Sequence, residues 1–258
     1  MLVFEKHKCL FQPVCKVATN SLISYWGNVM YGDEDWLIKE KAEEKKLNGR
    51  SPKYLGLVHD LRMRVRRDFH IDWQEHLRDH SLPKALPDKY KDYYKFAFVR
   101  NPWTRVVAGF KELIRRYPFG NAKANEKHGL KYDEVYDLMD GYISFDNFIN
   151  FIVNIERNHT DNINAHWRPQ VGYVFLNRGF EWNLVGKLEN FDKDFGCVQE
   201  HLNFKKTKLE KEHVSQKYNH KLYYQNKKTI DMVGEYYKED IETFGYEFET
   251  EPRPRPFV

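Results

Sequence analysis

Glycine is scarce in the N-terminal part of this 258-residue chain, and none lies between Leu10 and Trp26. The phosphate-binding motif GxxxxGK[ST] requires glycines just ahead of a helix, because the backbone there wraps closely around phosphate groups. No such motif precedes the first predicted helix. An ordinary ATP or GTP site is therefore disfavoured.

The chain also has only three cysteines, Cys9, Cys15 and Cys197, and they form no CxxC pair. Three thiols cannot all pair, so we interpret them as reduced and expect a reducing compartment. Histidine, cysteine and acidic residues show no spacing typical of a metal site. The sequence therefore predicts neither a disulfide framework nor a bound metal.

Long apolar runs are absent as well, since no stretch approaches the ~20 residues of a membrane span. The start of the chain, Met1 to Glu5, is too short and too soon charged for a signal peptide. The formal net charge of +4 suits an anionic ligand but lacks the dense clustering of a nucleic-acid binder. We therefore expect no membrane anchor and no nucleic-acid partner.

Short apolar runs alternate with helical patterns, and 41% hydrophobic residues are enough to build a core. Strands are predicted at Cys9 to Phe11, Tyr93 to Arg100 and Trp182 to Lys187, with a weaker candidate at Arg62 to His70. Helices are predicted from Leu22, from Pro102, and over Phe145 to Ile155, Asp192 to Leu202 and Thr229 to Phe244. This alternation predicts a single α/β domain, residues 1–250, with a mostly parallel central sheet flanked by helices. The proline-rich residues 251–258 are predicted to be a disordered tail.

Two predicted strand-to-helix junctions carry polar residues suited to anion binding. They are Lys16 with the candidate N-cap residues Thr19, Asn20 and Ser21, and Arg100 with Asn101, Pro102 and Arg105. The amides and dipole of a helix N-terminus attract anions, and each junction adds a positive side chain. Because parallel strands end at one edge of a sheet, the pattern predicts two sites for a ligand with separated phosphates. The alternative for the first junction is a plain strand-turn-helix with a surface lysine.

The segment Pro13 to Ser21 resembles the 5′-phosphosulfate loop of carbohydrate sulfotransferases that use 3′-phosphoadenylyl sulfate (PAPS). Phe96 to Phe110 resembles their 3′-phosphate motif, FVRDPxxRLVSAF. Further similarities follow in family order at Asn164 to Trp167, Leu184 to Asn190 and Tyr236 to Tyr246. The chain is most similar to the chondroitin 4-O- and HNK-1 sulfotransferases, which are related to the heparan 2-O- and 6-O-enzymes. The resemblance implies a P-loop-NTPase-like sulfotransferase core, PAPS as donor, 3′-phosphoadenosine 5′-phosphate (PAP) as product, and no metal.

The resemblance also implies roles for residues at the two junctions. Lys16 would contact the sulfonate and the bridging oxygen, and Arg100 would bind the 3′-phosphate with its two-pronged guanidinium. The 5′-phosphate would be held by amides of Val17, Ala18, Thr19 and Asn20 and by hydroxyls of Thr19 and Ser21. Ala108 stands where the family has serine, so one hydroxyl contact to the 3′-phosphate is missing or supplied elsewhere. Asn101 replaces the family's aspartate and still caps a helix.

Sulfuryl transfer needs a base for the acceptor hydroxyl, and histidine titrates near neutral pH. His70 is the candidate, because it ends the weaker predicted strand and because His70 to Glu75 resembles the HxDWxE stretch of the heparan 6-O-enzymes. His59 is the reserve, and a surface or capping role is the alternative for His70. His166 and Trp167 are candidates to orient an acceptor sugar, with packing as the alternative.

The sequence thus predicts an enzyme that moves the sulfuryl group of PAPS to a hydroxyl of a carbohydrate or another hydroxylated acceptor by in-line displacement. One alternative is a nucleotide kinase-like enzyme. The other is a non-catalytic protein that binds carbohydrate or nucleic acid on a degenerate sulfotransferase core. A cytoplasmic location is expected, and the Golgi lumen is the alternative if the sequence is a trimmed piece of a lumenal enzyme.

Overall fold

A computed structural model describes residues 1–31, 63–65, 68, 88–116, 144–155, 165–174, 181–206 and 219–248. Within these ranges, four strands form one sheet in the order β1–β2–β3–β4. The strands are β1 (Leu2–Phe4), β2 (Cys9–Gln12), β3 (Tyr94–Val99) and β4 (Leu184–Lys187). β1 and β2 pair antiparallel, whereas β2 and β3 pair parallel with Gln12 opposite Ala97. The sheet is mostly parallel, and the predicted α/β class is confirmed.

Helices account for much of the remaining described structure. They are α1 (Thr19–Tyr31), α2 (Pro102–Arg116), α3 (Phe145–Asn150), α4 (Val171–Val174), α5 (Phe191–His201), α6 (Lys227–Tyr236) and α7 (Lys238–Phe244). A π-helical turn, Phe151–Ile155, continues α3. Short 3-10 turns lie at Glu5–His7, Asp88–Tyr90, Leu188–Asn190 and His220–Tyr223.

The chain folds into two compact units, and the first comprises Met1–Phe98 with Val174–Ser215. Its core is rich in aromatic rings. Trp26 of α1 stacks on Phe4 with centroids 3.9 Å apart, and Phe11 stacks on Phe96 at 5.0 Å. The contact of Trp26 with Phe4 fixes α1 against the sheet, and the contact of Phe11 with Phe96 joins β2 to β3, since stacked rings add to the free energy of burying their area. The position of α1, the helix that follows the Lys16 loop, is thereby fixed.

The second unit comprises Val99–Tyr173 with Gln216–Val258. Its core lies between α2, α3 and α6. Phe110 of α2 packs on Phe145 and Phe148, with centroids 5.4 and 5.3 Å apart. The indole Nε1 of Trp103 donates to the carbonyl oxygen of Ile230 at 3.1 Å, so α2 and α6 are also joined by a hydrogen bond. The single domain over residues 1–250 stays a prediction, and residues 251–258 lie outside the described ranges.

Three local predictions were wrong. The stretch Thr229 to Phe244 forms two helices, because the backbone at Tyr237 turns to φ −103° and ψ 23° between α6 and α7. The described residues of the weaker strand candidate, 63–65 and 68, are helical. The strand predicted at Trp182 to Lys187 is present as β4, but it is mostly half-buried, so the prediction from its apolar sequence that it is buried was wrong.

Candidate active site

The loop between β2 and α1 has an unusual backbone. Lys16 and Ala18 adopt positive φ angles of 66° and 49°, and the residues beside and between them do not. Positive φ is uncommon for residues other than glycine and costs free energy because of the Cβ. An alternation between right- and left-handed residues turns successive amide groups toward one concavity, which is an anion-binding arrangement of the backbone. The loop therefore has a backbone that suits an anion, although it contains no glycine.

Helix α1 begins at the end of this loop, three residues earlier than its first apolar position. The carbonyl oxygen of Ala18 accepts from the amide of Leu22 at 3.0 Å, so Ala18 occupies the N-cap position. The prediction that Thr19, Asn20 and Ser21 offer N-cap side chains is therefore corrected, because they form the first turn of α1. Alanine has no side-chain acceptor for the amides of that turn. The Thr19 hydroxyl donates to the carbonyl oxygen of Val14 and closes the loop.

The predicted junctions follow two neighbouring strands of the sheet. β2 and β3 are parallel neighbours in register, so the chain leaves both strands in the same direction. The Lys16 loop follows β2, and Arg100 directly follows β3. The carboxyl ends of parallel strands are where such sheets commonly bind ligands.

The Arg100 main chain and side chain are both held by hydrogen bonds. Its Nε donates to the Thr104 hydroxyl at 3.0 Å, and that hydroxyl donates to the carbonyl oxygen of Asn101 at 3.0 Å. Its backbone amide donates to Oε1 of Gln170 at 2.9 Å, and Nε2 of Gln170 donates back to its carbonyl oxygen at 2.8 Å. The guanidinium orientation and the backbone direction are therefore both set.

Asn101 and Arg105 stabilise the start of α2. Oδ1 of Asn101 accepts from the amide of Trp103 at 3.0 Å, which confirms the predicted cap, and its Nδ2 donates to the carbonyl oxygen of Glu247 at 2.9 Å. Arg105 is 1% exposed and donates to the carbonyl oxygens of Arg168 and Ala165 at 2.9 and 3.3 Å. The structure thus gives Arg105 a role inside the fold, where it holds the 165–168 segment.

Sequence reasoning missed a buried carboxylate behind Arg100. Asp240 is fully buried, and its Oδ2 accepts from the backbone amide and the side-chain Nε2 of Gln170 at 2.8 and 3.2 Å. Its Oδ1 accepts from the amide of Val171 at 2.8 Å. Burial raises the pKa of Asp240, and these amides and the Arg105 charge oppose that shift. The sequence held a signal, since Val233, Tyr237, Asp240 and Phe244 recur at helical spacing and place a carboxylate on an apolar face.

The predicted acceptor residues lie beside α2. A Cβ on Gly109 would come within 3.3 Å of the carbonyl oxygen of His166, so α2 approaches this segment closely. Trp167 is 3% exposed and meets Phe148 edge-on at 5.2 Å, which is the packing role named as its alternative. His166 and Ala108 are half-buried. Contact of His166 or Trp167 with an acceptor stays a prediction.

The proposed base lies outside the described residues, as does its reserve, so the roles of His70 and His59 stay predictions. Arg64, in the segment Arg62 to His70, pairs with Asp68 at 3.6 Å and lies over the Tyr31 ring at 4.1 Å. Among the residues that the structure describes, no group of three His, Cys, Asp or Glu side chains is placed to hold a metal ion. No helix in the same ranges is both long and apolar enough to cross a membrane.

Comparison with known proteins shows similarity to carbohydrate sulfotransferases. The chain is 24% identical to carbohydrate sulfotransferase 12 of Mus musculus over 205 residues, which is 75% of this chain and 46% of that protein. It is 25% identical to carbohydrate sulfotransferase 11 of Rattus norvegicus over 133 residues, 47% of this chain and 36% of that protein. Carbohydrate sulfotransferase 14 of Danio rerio is 23% identical over 133 residues, 46% of this chain and 32% of that protein.

The chain therefore spans less than half the length of each of these relatives. None of them supports the predicted cytoplasmic location, and the Golgi-lumen alternative is compatible with them. No solved structure matches the chain at a significant level. The model of the sulfotransferase family matches residues 1–247, which is nearly the whole chain, and the protein belongs to that family.

Proposed function

We propose that this protein transfers the sulfuryl group of PAPS to a hydroxyl of a carbohydrate or similar acceptor by in-line displacement. The observation that carries the proposal is the Lys16 loop, which alternates the sign of φ and ends at a helix whose N-cap has no side-chain acceptor. Backbone amides and a helix N-terminus suit a phosphate group, and Lys16 adds a positive charge. Membership of the sulfotransferase family supports the same chemistry.

The proposal assigns one phosphate group of the nucleotide to each junction. Amides of residues 17–20 hold the 5′-phosphate, and the guanidinium of Arg100 binds the 3′-phosphate. Arg100 suits this role because its Nε is engaged with Thr104, which orients the planar donor group. The Thr19 hydroxyl donates to the carbonyl oxygen of Val14 in the structure, so it must exchange that partner to donate to the phosphate.

The transfer step follows from these assignments. An oxygen of the acceptor attacks sulfur while the bond from sulfur to the bridging phosphate oxygen breaks, and PAP leaves. The Lys16 ammonium stabilises the negative charge that develops on the leaving phosphate. His70 takes the proton of the acceptor hydroxyl, a role that suits imidazole near neutral pH.

The test is nucleotide binding followed by turnover. A ligand that binds only the folded protein raises its melting temperature, so PAP is expected to stabilise the protein and ATP to do so far less. Radiolabelled PAPS offered with a panel of hydroxylated saccharides then identifies the acceptor. Stronger stabilisation by ATP than by PAP would instead favour the kinase-like alternative. Saccharide binding without PAPS turnover would favour the non-catalytic one, which Ala108 motivates.

A further inference from the structure

Gln170 binds the Arg100 main chain in the way that a neighbouring strand would. Its carboxamide accepts from the Arg100 amide at 2.9 Å and donates to the Arg100 carbonyl oxygen at 2.8 Å. A primary amide offers one acceptor and two donors, so it copies the peptide group of a strand partner. Arg100 comes directly after the last residue of β3, so the side chain extends the hydrogen-bonded strand by one residue.

Asp240 fixes Gln170 in turn. One carboxylate oxygen accepts from both the backbone amide and Nε2 of Gln170, and the other accepts from the amide of Val171. Gln170 and Asp240 are both fully buried, so no water competes for these hydrogen bonds. With Nε2 donating to Asp240 and to Arg100, its partner atom Oε1 necessarily faces the Arg100 amide. The Asp240 carboxylate therefore sets the orientation of the Gln170 carboxamide.

From this chain of contacts we infer that Gln170 and Asp240 are positioning residues for Arg100. They hold the backbone of residue 100 so that its guanidinium meets the 3′-phosphate group of the nucleotide. The inference rests on the proposed function, because it assumes that Arg100 binds that phosphate. Neither residue is expected to touch the nucleotide, since both side chains are covered and their polar atoms are engaged within the fold.

The alternative is that these hydrogen bonds only stabilise the fold. The two roles differ in their ligand dependence, because a positioning role concerns only the 3′-phosphate. PAP carries this group, and adenosine 5′-monophosphate (AMP) lacks it. The ratio of the Kd for AMP to the Kd for PAP therefore measures what the 3′-phosphate contributes to binding.

The experiment measures both Kd values by titration calorimetry for the wild type, Gln170→Met and Asp240→Asn. Methionine keeps the length of glutamine and loses its hydrogen bonds. We expect Gln170→Met to lower the ratio by about tenfold, because a small displacement of a clamping group weakens its interaction strongly. AMP binding stays within about twofold, and the KM for PAPS rises while kcat changes little.

Thr229→Val is the matched control in the same compact unit. Thr229 is 3% exposed, and its hydroxyl donates to Asp146 at 2.6 Å, so the variant also loses a partly buried hydrogen bond. It is expected to lower the melting temperature without changing the ratio. Asp240→Asn is the second positioning variant, but Gln170→Met decides the question if the asparagine variant fails to fold.

A double-mutant cycle tests whether Gln170 acts through Arg100. In an Arg100→Ala background, Gln170→Met should leave the ratio unchanged, because the guanidinium that it positions is gone. Equal losses for PAP and AMP in Gln170→Met, or a further loss in the Arg100→Ala background, would overturn the inference. A wild type that binds PAP and AMP equally well overturns the proposed function and this inference with it.

Discussion

Phe98 occupies the space that a side chain at Gly186 would need. A Cβ added to Gly186 would lie 2.5 Å from Cε1 of Phe98 and 2.8 Å from Cδ1. The ring cannot yield easily, since Phe98 is 1% exposed in the core of the first compact unit. We expect Gly186→Ala to lower the free energy of unfolding by about 1–3 kcal/mol, the usual cost of overpacking a core. Urea unfolding followed by circular dichroism measures this change.

Gly196 provides the control for this prediction. It lies inside α5, and a Cβ added there meets no heavy atom within 4 Å. Gly196→Ala should therefore stabilise the protein by about 0.5–1 kcal/mol, because alanine loses less backbone entropy in a helix. Equal effects of the two substitutions would show that the contact with Phe98 is not what excludes a side chain at position 186.

The backbone and the amine of Lys16 can be tested separately. Lys16→Gly removes the amine and suits the φ of 66°, whereas Lys16→Ala removes the amine and keeps the cost of a Cβ at positive φ. Both variants should lose sulfotransfer activity by at least about a hundredfold, the cost of removing one group that stabilises transition-state charge. The glycine variant should be the more stable of the two by about 1 kcal/mol.

Lys8 is a matched control, because it is also a lysine with positive φ, at 45°, and directly precedes the same strand β2. Lys8→Gly should exceed Lys8→Ala in stability by a similar amount, and both variants should keep sulfotransfer activity. The measurements are initial rates with PAPS and thermal unfolding of all four variants, including Lys8→Ala. The rates report the role of the amine, and the melting temperatures report the cost of the Cβ. Retained activity in Lys16→Ala would remove Lys16 from the proposed mechanism.

The sequence predicted the parts of the fold that depend on local pattern. β3 is a continuous apolar run, and five of its six residues are buried as expected. The Asn101 cap and Pro102 mark the start of α2, because their effect on a helix terminus is local. β1 was missed, since three residues give too short a pattern and this strand depends on its pairing with β2.

The parts of the site that escaped prediction depend on contacts between distant residues. Gln170 and Asp240 are 70 residues apart, and no local pattern links a loop glutamine to a helical aspartate. The positive φ of Ala18 also has no signal in its residue type, because alanine disfavours this conformation and the surrounding structure imposes it. The N-cap was misplaced for the same reason, since Thr19 and Ser21 are typical cap residues by composition alone.

The pH dependence of stability should reveal the surroundings of His7. Burial, and next the charge of Lys6, lower the pKa of His7 below its ordinary value of 6.5. The imidazole lies edge-on to Phe204 at 4.8 Å and 6.0 Å from the ring of Trp26. The unfolded chain therefore binds a proton more readily than the folded protein, and stability falls as the pH drops from 6.5 through the folded pKa.

Urea unfolding at pH 7.5 and pH 5.5 measures this effect in the wild type and in His7→Gln. The free energy of unfolding of the wild type should fall more between these pH values than that of the variant. The pKa can be measured directly from the imidazole resonances by NMR. A pKa above 6.5 for His7, or the same pH dependence of stability in both proteins, would contradict this account of the surroundings of His7.

Asn101 donates a side-chain hydrogen bond that an ionised aspartate, the residue at this position in the family motif, cannot donate. Its Oδ1 caps α2, and its Nδ2 donates to the carbonyl oxygen of Glu247. Asn101→Asp keeps the cap but sets a carboxylate against that carbonyl at a position only 5% exposed. We expect a loss of about 1–3 kcal/mol in the free energy of unfolding at pH 7, and a smaller loss at pH 4, where a protonated carboxyl can donate.

Asn219→Asp is the control, because Asn219 is exposed and accepts from the amide of Lys221, and it should change stability by less than about 0.5 kcal/mol. If Asn101→Asp matches the wild type at pH 7, the hydrogen bond to Glu247 contributes nothing, and the preference for asparagine at this position needs another cause.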